Sequence, residues 1–215
     1  NLKFSETKKD ESRSFSKNFL NLIKNRLIFC AASTHPNEEI LIAKTHINLK
    51  NKYKNLLTII IPRHVNRINK IYNDMNLLGL KSIIKSSKKK IKSNTDIFLV
   101  DTYGETKKFF KISKVAFIGG SLVDHGGQNP IEPARFGLNI IHGPHVRNFK
   151  DIFKFFASRK ISHKIRNQNQ LFEVAQKLLT KNNKIKLNLK KIGDSILKKS
   201  VVEVKNILRH EIKKT

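Results

Sequence analysis

Short runs of uninterrupted apolar residues recur along the chain, each closed by a turn and followed by an amphipathic stretch. They fall at residues 27–32, 56–61, 97–100, 115–118 and 139–141, with a shorter sixth at 161–165. A strand that is apolar at every position needs cover on both faces, which points to a parallel sheet enclosed by helices. Helical spacing links Phe15, Phe19, Leu22 and Ile23. It continues from Pro36 at a first helical position, with Glu38 and Glu39 in the first turn, to about Leu49. Further helices are expected over 66–78, from 105 to 112, around Phe149, Ile152, Phe153 and Phe156, and over 168–179 and 195–212. The stretch 81–94, with Lys88-Lys89-Lys90 inside it, reads as a solvated loop.

The expected fold is therefore α/β, a Rossmann-like parallel sheet with helices on both faces. Residues 1–14 read as a linker or edge segment, 15–190 as the domain and 191–215 as a carboxyl-terminal helix. The sequence does not start with Met and reads as one domain of a longer protein. In open parallel sheets ligands bind beyond the carboxyl ends of the strands. Every unusual segment falls at such an end: 33–35, 62–64, 101–105 and 119–132.

The last of these is the richest in chemistry. Gly119-Gly120 and Gly126-Gly127 let backbone N–H groups approach an anion closely, and the helix that follows offers its N-terminus to phosphate. Glu132, in that helix's first turn, is placed to accept from a ribose diol. Together these suggest a nucleotide-sugar site. Asn129 as a helix cap, and Glu132 as a dipole partner, are the plain alternatives. Arg63, after a strand end fixed by Pro62, suits bidentate phosphate binding. Thr102-Tyr103-Gly104 offers N–H groups and a ring for a base, or else a cap in which Thr102 bonds the Glu105 N–H. Ser33, Thr34, His35, Gly120 and Ser121 complete the candidate cleft.

The formal net charge is +28. Nearly all the basic residues are Lys, and they travel with Asn and Ile, which share A/T-rich codons. An anionic membrane surface is a second explanation, since each Lys near acidic lipid is worth about 1 kcal/mol. Nucleic acid ranks third and is not expected, because no zinc-finger, RNP or helix-turn-helix pattern is present. The single cysteine, Cys30, lies in an apolar run and reads as a buried reduced thiol, which fits a cytosolic compartment. No metal and no cofactor are expected. The five histidines near predicted loops, His35, His64, His125, His142 and His145, show no metal-ligand spacing, and G-x-G-x-x-G, P-loop and G-x-S-x-G motifs are absent.

An ordered set of motifs resembles one family. The set comprises Asn1-Leu2-Lys3-Phe4, Ala31-Ala32-Ser33-Thr34-His35 with Glu38-Glu39, Pro62-Arg63-His64, and Asp101-Thr102-Tyr103-Gly104-Glu105. It continues with the run 117–123, Gly126-Gly127-Gln128-Asn129-Pro130-Ile131-Glu132-Pro133, and Gly143-Pro144-His145 with Asn148-Phe149. The family is the 3-deoxy-D-manno-octulosonic acid (Kdo) transferases of lipopolysaccharide synthesis. The resemblance implies the carboxyl-terminal, donor-binding half of a GT-B glycosyltransferase that moves Kdo from CMP-Kdo to a lipid A precursor (lipid IVA). It implies metal-independent, inverting chemistry, with the catalytic base in an amino-terminal acceptor domain, at the cytoplasmic face of the bacterial inner membrane. Carried over, the CMP contacts are Pro62, Arg63, Thr102, Tyr103, Gly104, Asn129, Pro130, Ile131 and Glu132. Tyr103 stands where the family usually has Met, Gln128 where it has His, and Asn37 where it has Gly. A GT-B enzyme for a UDP-sugar, or a basic nucleic-acid module, are the alternatives.

Overall fold

Seven strands, all parallel, form one sheet in the order β3-β4-β2-β1-β5-β6-β7. The strands are β1 (Leu27–Thr34), β2 (Leu56–Pro62), β3 (Ser82–Ile84), β4 (Ile97–Leu99), β5 (Val115–Ile118), β6 (Asn139–His142) and β7 (Ser162–Lys164). The helices are α1 (Lys17–Ile23), α2 (Glu38–Lys52), α3 (Ile68–Leu77), α4 (Thr106–Ile112), α5 (Ile131–Arg135), α6 (Lys150–Ser158) and α7 (Gln168–Leu179). The computed structural model describes residues 15–87 and 89–181, which lie within one compact unit, Ser12–Ile185. The linker expected at 1–14 and the helix expected at 191–215 lie outside the described residues.

Alternation along the strands sorts the core into two layers. Phe29, Ala31, Leu56, Ile60, Val115 and Phe117 pack with Ile42, Leu49, Ile71, Met75, Leu171 and Leu178 of α2, α3 and α7. On the opposite face α4 meets both β1 and α5, and Phe15 and Phe19 bring α1 onto Phe98 and Phe109. Each fully buried Phe or Ile contributes about 2 kcal/mol. Cys30 faces this second layer, fully buried and unoxidised, and burial pushes its thiol up to about 12.

Five of the six expected strands stand within a residue or two of the observed bounds, and the short sixth is β7. The structure adds β3, which lies inside the stretch expected to be loop. Ser82–Ile84 is a three-residue edge strand between Lys81 and Lys85, too short to carry a pattern of its own. Helix α2 starts at Glu38, so Pro36 precedes it instead of opening it, and Asn37 takes up a left-handed backbone, φ 75°. An Asn tolerates that conformation, which accommodates the departure at this position.

The connection order reverses at β1. Chain on one side builds β2, β4 and β3, and chain on the other builds β5, β6 and β7. The carboxyl ends of β1 and β5 therefore flank the switch point where such sheets form a crevice.

Candidate functional site

Backbone bonds tie the ends of three strands together. The β1 ladder shifts register between Ala32 and Thr34, and Ser33 is left-handed at φ 56°. Thr34 pairs with Pro62, and the Arg63 N–H donates to the Thr34 carbonyl at 2.9 Å. On the other side the Gly119 N–H donates to Ala32 O at 2.9 Å. A Cβ at 119 would lie 2.3 Å from the Ser33 carbonyl oxygen, so only glycine allows this approach.

The anion that occupies the glycine turn belongs to the chain. Glu38, fully buried at the start of α2, accepts four backbone N–H bonds. His35 (2.9 Å) and Gly120 (2.8 Å) donate to Oε2, and Ser121 (3.0 Å) and Leu122 (2.9 Å) donate to Oε1. Burial raises the Glu38 pKa against the pull of these four donors. The expected phosphate cradle at Gly120 and Ser121 is thus corrected: its donors are spent on Glu38. Thr34 is likewise framework, since its hydroxyl donates to Glu39 Oε1 at 2.8 Å and it is fully buried. Glu39 in turn holds Arg67 through two bonds of 3.0 Å. The buried Ser121 hydroxyl accepts from the Gly143 N–H at 2.9 Å, and the Gly127 N–H donates to Gly120 O at 2.7 Å. These bonds dock the second glycine pair and the 143–148 turn onto the same framework.

What stands open above it is cationic. The His35 ring stacks on His125, centroids 4.2 Å apart at 24°, and meets His64 edge-on at 6.0 Å. Arg63 is exposed, and its guanidinium has no hydrogen-bond or ion-pair partner among the described residues. Among the described residues no three His, Cys, Asp or Glu side chains are grouped to hold a metal ion.

The other candidates lie along the same edge. Beyond β4, the Thr102 hydroxyl donates to the Glu105 carboxylate and accepts from no helix N–H among the described residues, so the capping alternative is not what forms. Burial alone would raise Glu105, but bonds from Lys108, Lys85 and Thr102 outweigh it and bring it to about 2. Tyr103 is 69% exposed, and Gly104 is left-handed at φ 78° with open space where a side chain would stand. Past β5, Asn129 Oδ1 accepts the Ile131 N–H at 3.0 Å, so it serves the first turn of the five-residue α5. Glu132 is half-buried there, and Pro62, Pro130 and Ile131 are buried. The parallel sheet puts Pro62, Arg63, Thr102, Tyr103 and Gly104 at the carboxyl ends of β2 and β4 on one edge, and Asn129 through Glu132 follow the loop that leaves β5 at that edge. Direct packing unites only the groups around 33–35, 62–64 and 119–127. Sequence reasoning left His125 out of the site and missed Glu38 as its organiser. The available signals were the adjacency of the β1 and β2 turns and the position of His125 just before Gly126.

No family model matches the chain. It is 41% identical over 131 residues to a 3-deoxy-D-manno-octulosonic acid transferase of Haemophilus influenzae, covering 61% of this chain and 31% of that one. It is 34% identical over 187 residues to the Rickettsia prowazekii transferase of the same description, covering 87% of this chain and 40% of that one. Among solved structures it matches the C-terminal CMP-Kdo binding domain of WaaA from Acinetobacter baumannii. The TM-score is 0.72 at 26% identity, covering 85% of this chain and 95% of that domain. The chain is thus similar to Kdo transferases over most of its length. It spans 31% to 40% of the length of these curated Kdo transferases. Its fold is one half of a GT-B glycosyltransferase, and the Acinetobacter domain that it matches is a C-terminal one.

Proposed function

We propose that this chain is the donor-binding half of a Kdo transferase and holds CMP-Kdo along the carboxyl edge of its sheet. One observation carries the reading: Arg63, fixed through its backbone to Thr34 at the switch point, has no hydrogen-bond or ion-pair partner for its guanidinium among the described residues and acts by its charge on His35, which packs with His64 and His125. The Acinetobacter domain, described as binding CMP-Kdo, supports the same assignment. In the reaction an acceptor hydroxyl attacks the anomeric carbon, a new C–O bond forms, and the anomeric bond to the phosphate breaks with inversion. The hydroxyl proton goes to a base in the amino-terminal half, and CMP leaves with the bonding pair. Cations fixed around the phosphate stabilise the charge that develops on it, and no metal is required. The acceptor is a phosphorylated lipid A precursor at the cytoplasmic face of the inner membrane. The net charge of +28 favours both that surface and that acceptor.

Calorimetric titration with CMP tests the reading. Arg63→Ala and Glu132→Ala are each expected to weaken CMP at least tenfold, about 1.4 kcal/mol. Unchanged affinity in both variants removes the assigned site, and tighter binding of UDP than CMP moves the donor to another nucleotide class.

A further inference from the structure

His35 is the one group at this edge whose surroundings leave a chemical need unmet. Only 6% of it is exposed, yet its Nε2 has no hydrogen-bond partner. The ring lies flat against Gly120, left-handed at φ 64°, where a Cβ would come within 3.1 Å of Cδ2 and 3.2 Å of Nε2. His125 covers its other side and His64 its edge, and Arg63 and Arg67 add their charges. The carboxylates nearby cannot answer. Glu38 is filled by four backbone N–H groups, and Glu39 by Arg67 and the Thr34 hydroxyl. Asp124, beside His125 in sequence, pairs with Arg147 and His145. Imidazoles and guanidiniums from the turns after β1 and β2 and from the 119–127 loop thus converge with no free internal anion among the described residues.

From this geometry we infer that a phosphate oxyanion of the bound nucleotide seats against His35 Nε2, and that His35 takes up a proton from solvent as it does so. In the empty site burial, followed by the charges of His125, His64, Arg67 and Arg63, brings His35 down to about 4 and keeps it neutral. An external dianion reverses the sign of the local field and favours the imidazolium. The neutral ring, one proton and the phosphate dianion become a hydrogen-bonded ion pair, and no bond to phosphorus changes. By linkage, the site then binds the nucleotide more tightly as pH falls from neutrality. His35 so acts as a proton-coupled donor to the leaving phosphate. This rests on the nucleotide reading above and adds to it which atom receives the phosphate and how the charge is balanced.

The test is calorimetry at pH 7.5 in two buffers of different ionisation enthalpy, where a phosphate monoester with second pKa about 6 is already ionised. CMP, cytidine and free Kdo are titrated separately. CMP is expected to draw protons from the buffer, up to one per site, while cytidine and the Kdo carboxylate draw none. His35→Gln, which keeps a neutral N–H donor but cannot take up a proton, is expected to weaken CMP and to lose the proton uptake. The His35 Cε1 proton of the unaltered chain is expected to shift toward the imidazolium position when CMP is added, a readout that needs no variant. CMP binding without buffer dependence, uptake that persists in His35→Gln, or uptake driven by Kdo alone each overturns the inference and leaves the nucleotide site standing. Failure of CMP to bind at all overturns the site reading itself.

Discussion

A histidine is buried near each edge of the sheet, His35 just before α2 and His46 within it, and the two have different neighbours. At the amino edge His46 places Nδ1 2.8 Å from the Thr58 hydroxyl and Nε2 3.6 Å from Asp96. Lys50 holds the same carboxylate at 3.1 Å, and the Lys81 N–H donates to it at 3.0 Å. Burial opposes ionisation of Asp96, but bonds from His46, Lys81 and Lys50 win and hold it well below the usual carboxylate range. Arg26 closes the edge by donating to the carbonyls of Asn55, Leu56, Lys92 and Thr95. At the carboxyl edge the neutral His35 ring meets imidazoles and the charges of Arg63 and Arg67, and the Arg63 guanidinium has no hydrogen-bond or ion-pair partner among the described residues. One edge balances its charge from within. The other spends its two buried carboxylates on the backbone and on Arg67, and leaves the remaining positive charge for a partner. The contrast separates residues that hold the fold from residues that await a ligand.

The strongest challenge to this contrast is Glu38→Ala. It strands four backbone donors, and a loss of about 4 kcal/mol or more is expected in urea unfolding. A loss below about 1 kcal/mol would show that the glycine turn holds itself. Acidification should have the next largest effect. Burial first, then the charges of Lys164 and His163, hold His142 at about 4 against its bond to Gly143 O. The unfolded chain takes up this proton near 6.5 and the folded chain only near 4. Stability from this residue is therefore complete above 6.5 and falls through that window, by on the order of 3 kcal/mol. His35 acts in the same direction. His142→Gln should flatten the pH dependence of thermal unfolding between those values, and an unaltered slope would exclude His142 as its source. The finest discrimination pairs one variant from each edge. Asp96→Ala should cost about 2 kcal/mol of stability and leave CMP affinity alone. Arg63→Ala should leave stability within about 0.5 kcal/mol while weakening CMP. If each variant moved both measurements, the division of labour between the edges would be lost.

Much of this was legible in the sequence because a parallel sheet enforces it. Apolar runs fixed the strands, and strand direction alone put residues 33, 63, 103 and 129 on one edge. What was not legible depended on which partner arrives across a long loop. Gly120 advertises a close backbone approach, but nothing near it in sequence says that Glu38, 82 residues earlier, makes that approach. The Glu38-Glu39 pair read as partners for a helix dipole, a role any carboxylate in a first turn can fill. Likewise β3 forms only because β4 offers it a ladder, so three residues between lysines gave no signal.

The four bonds to Glu38 also bear on timing. A turn clamped by the chain's own carboxylate already has its working shape while the pocket is vacant, and no loop has to freeze when a nucleotide arrives or melt when the spent one departs. Turnover at this edge should then be governed by how fast charge is screened and unscreened around the phosphate, a quantity that responds to salt and pH much more than to viscosity.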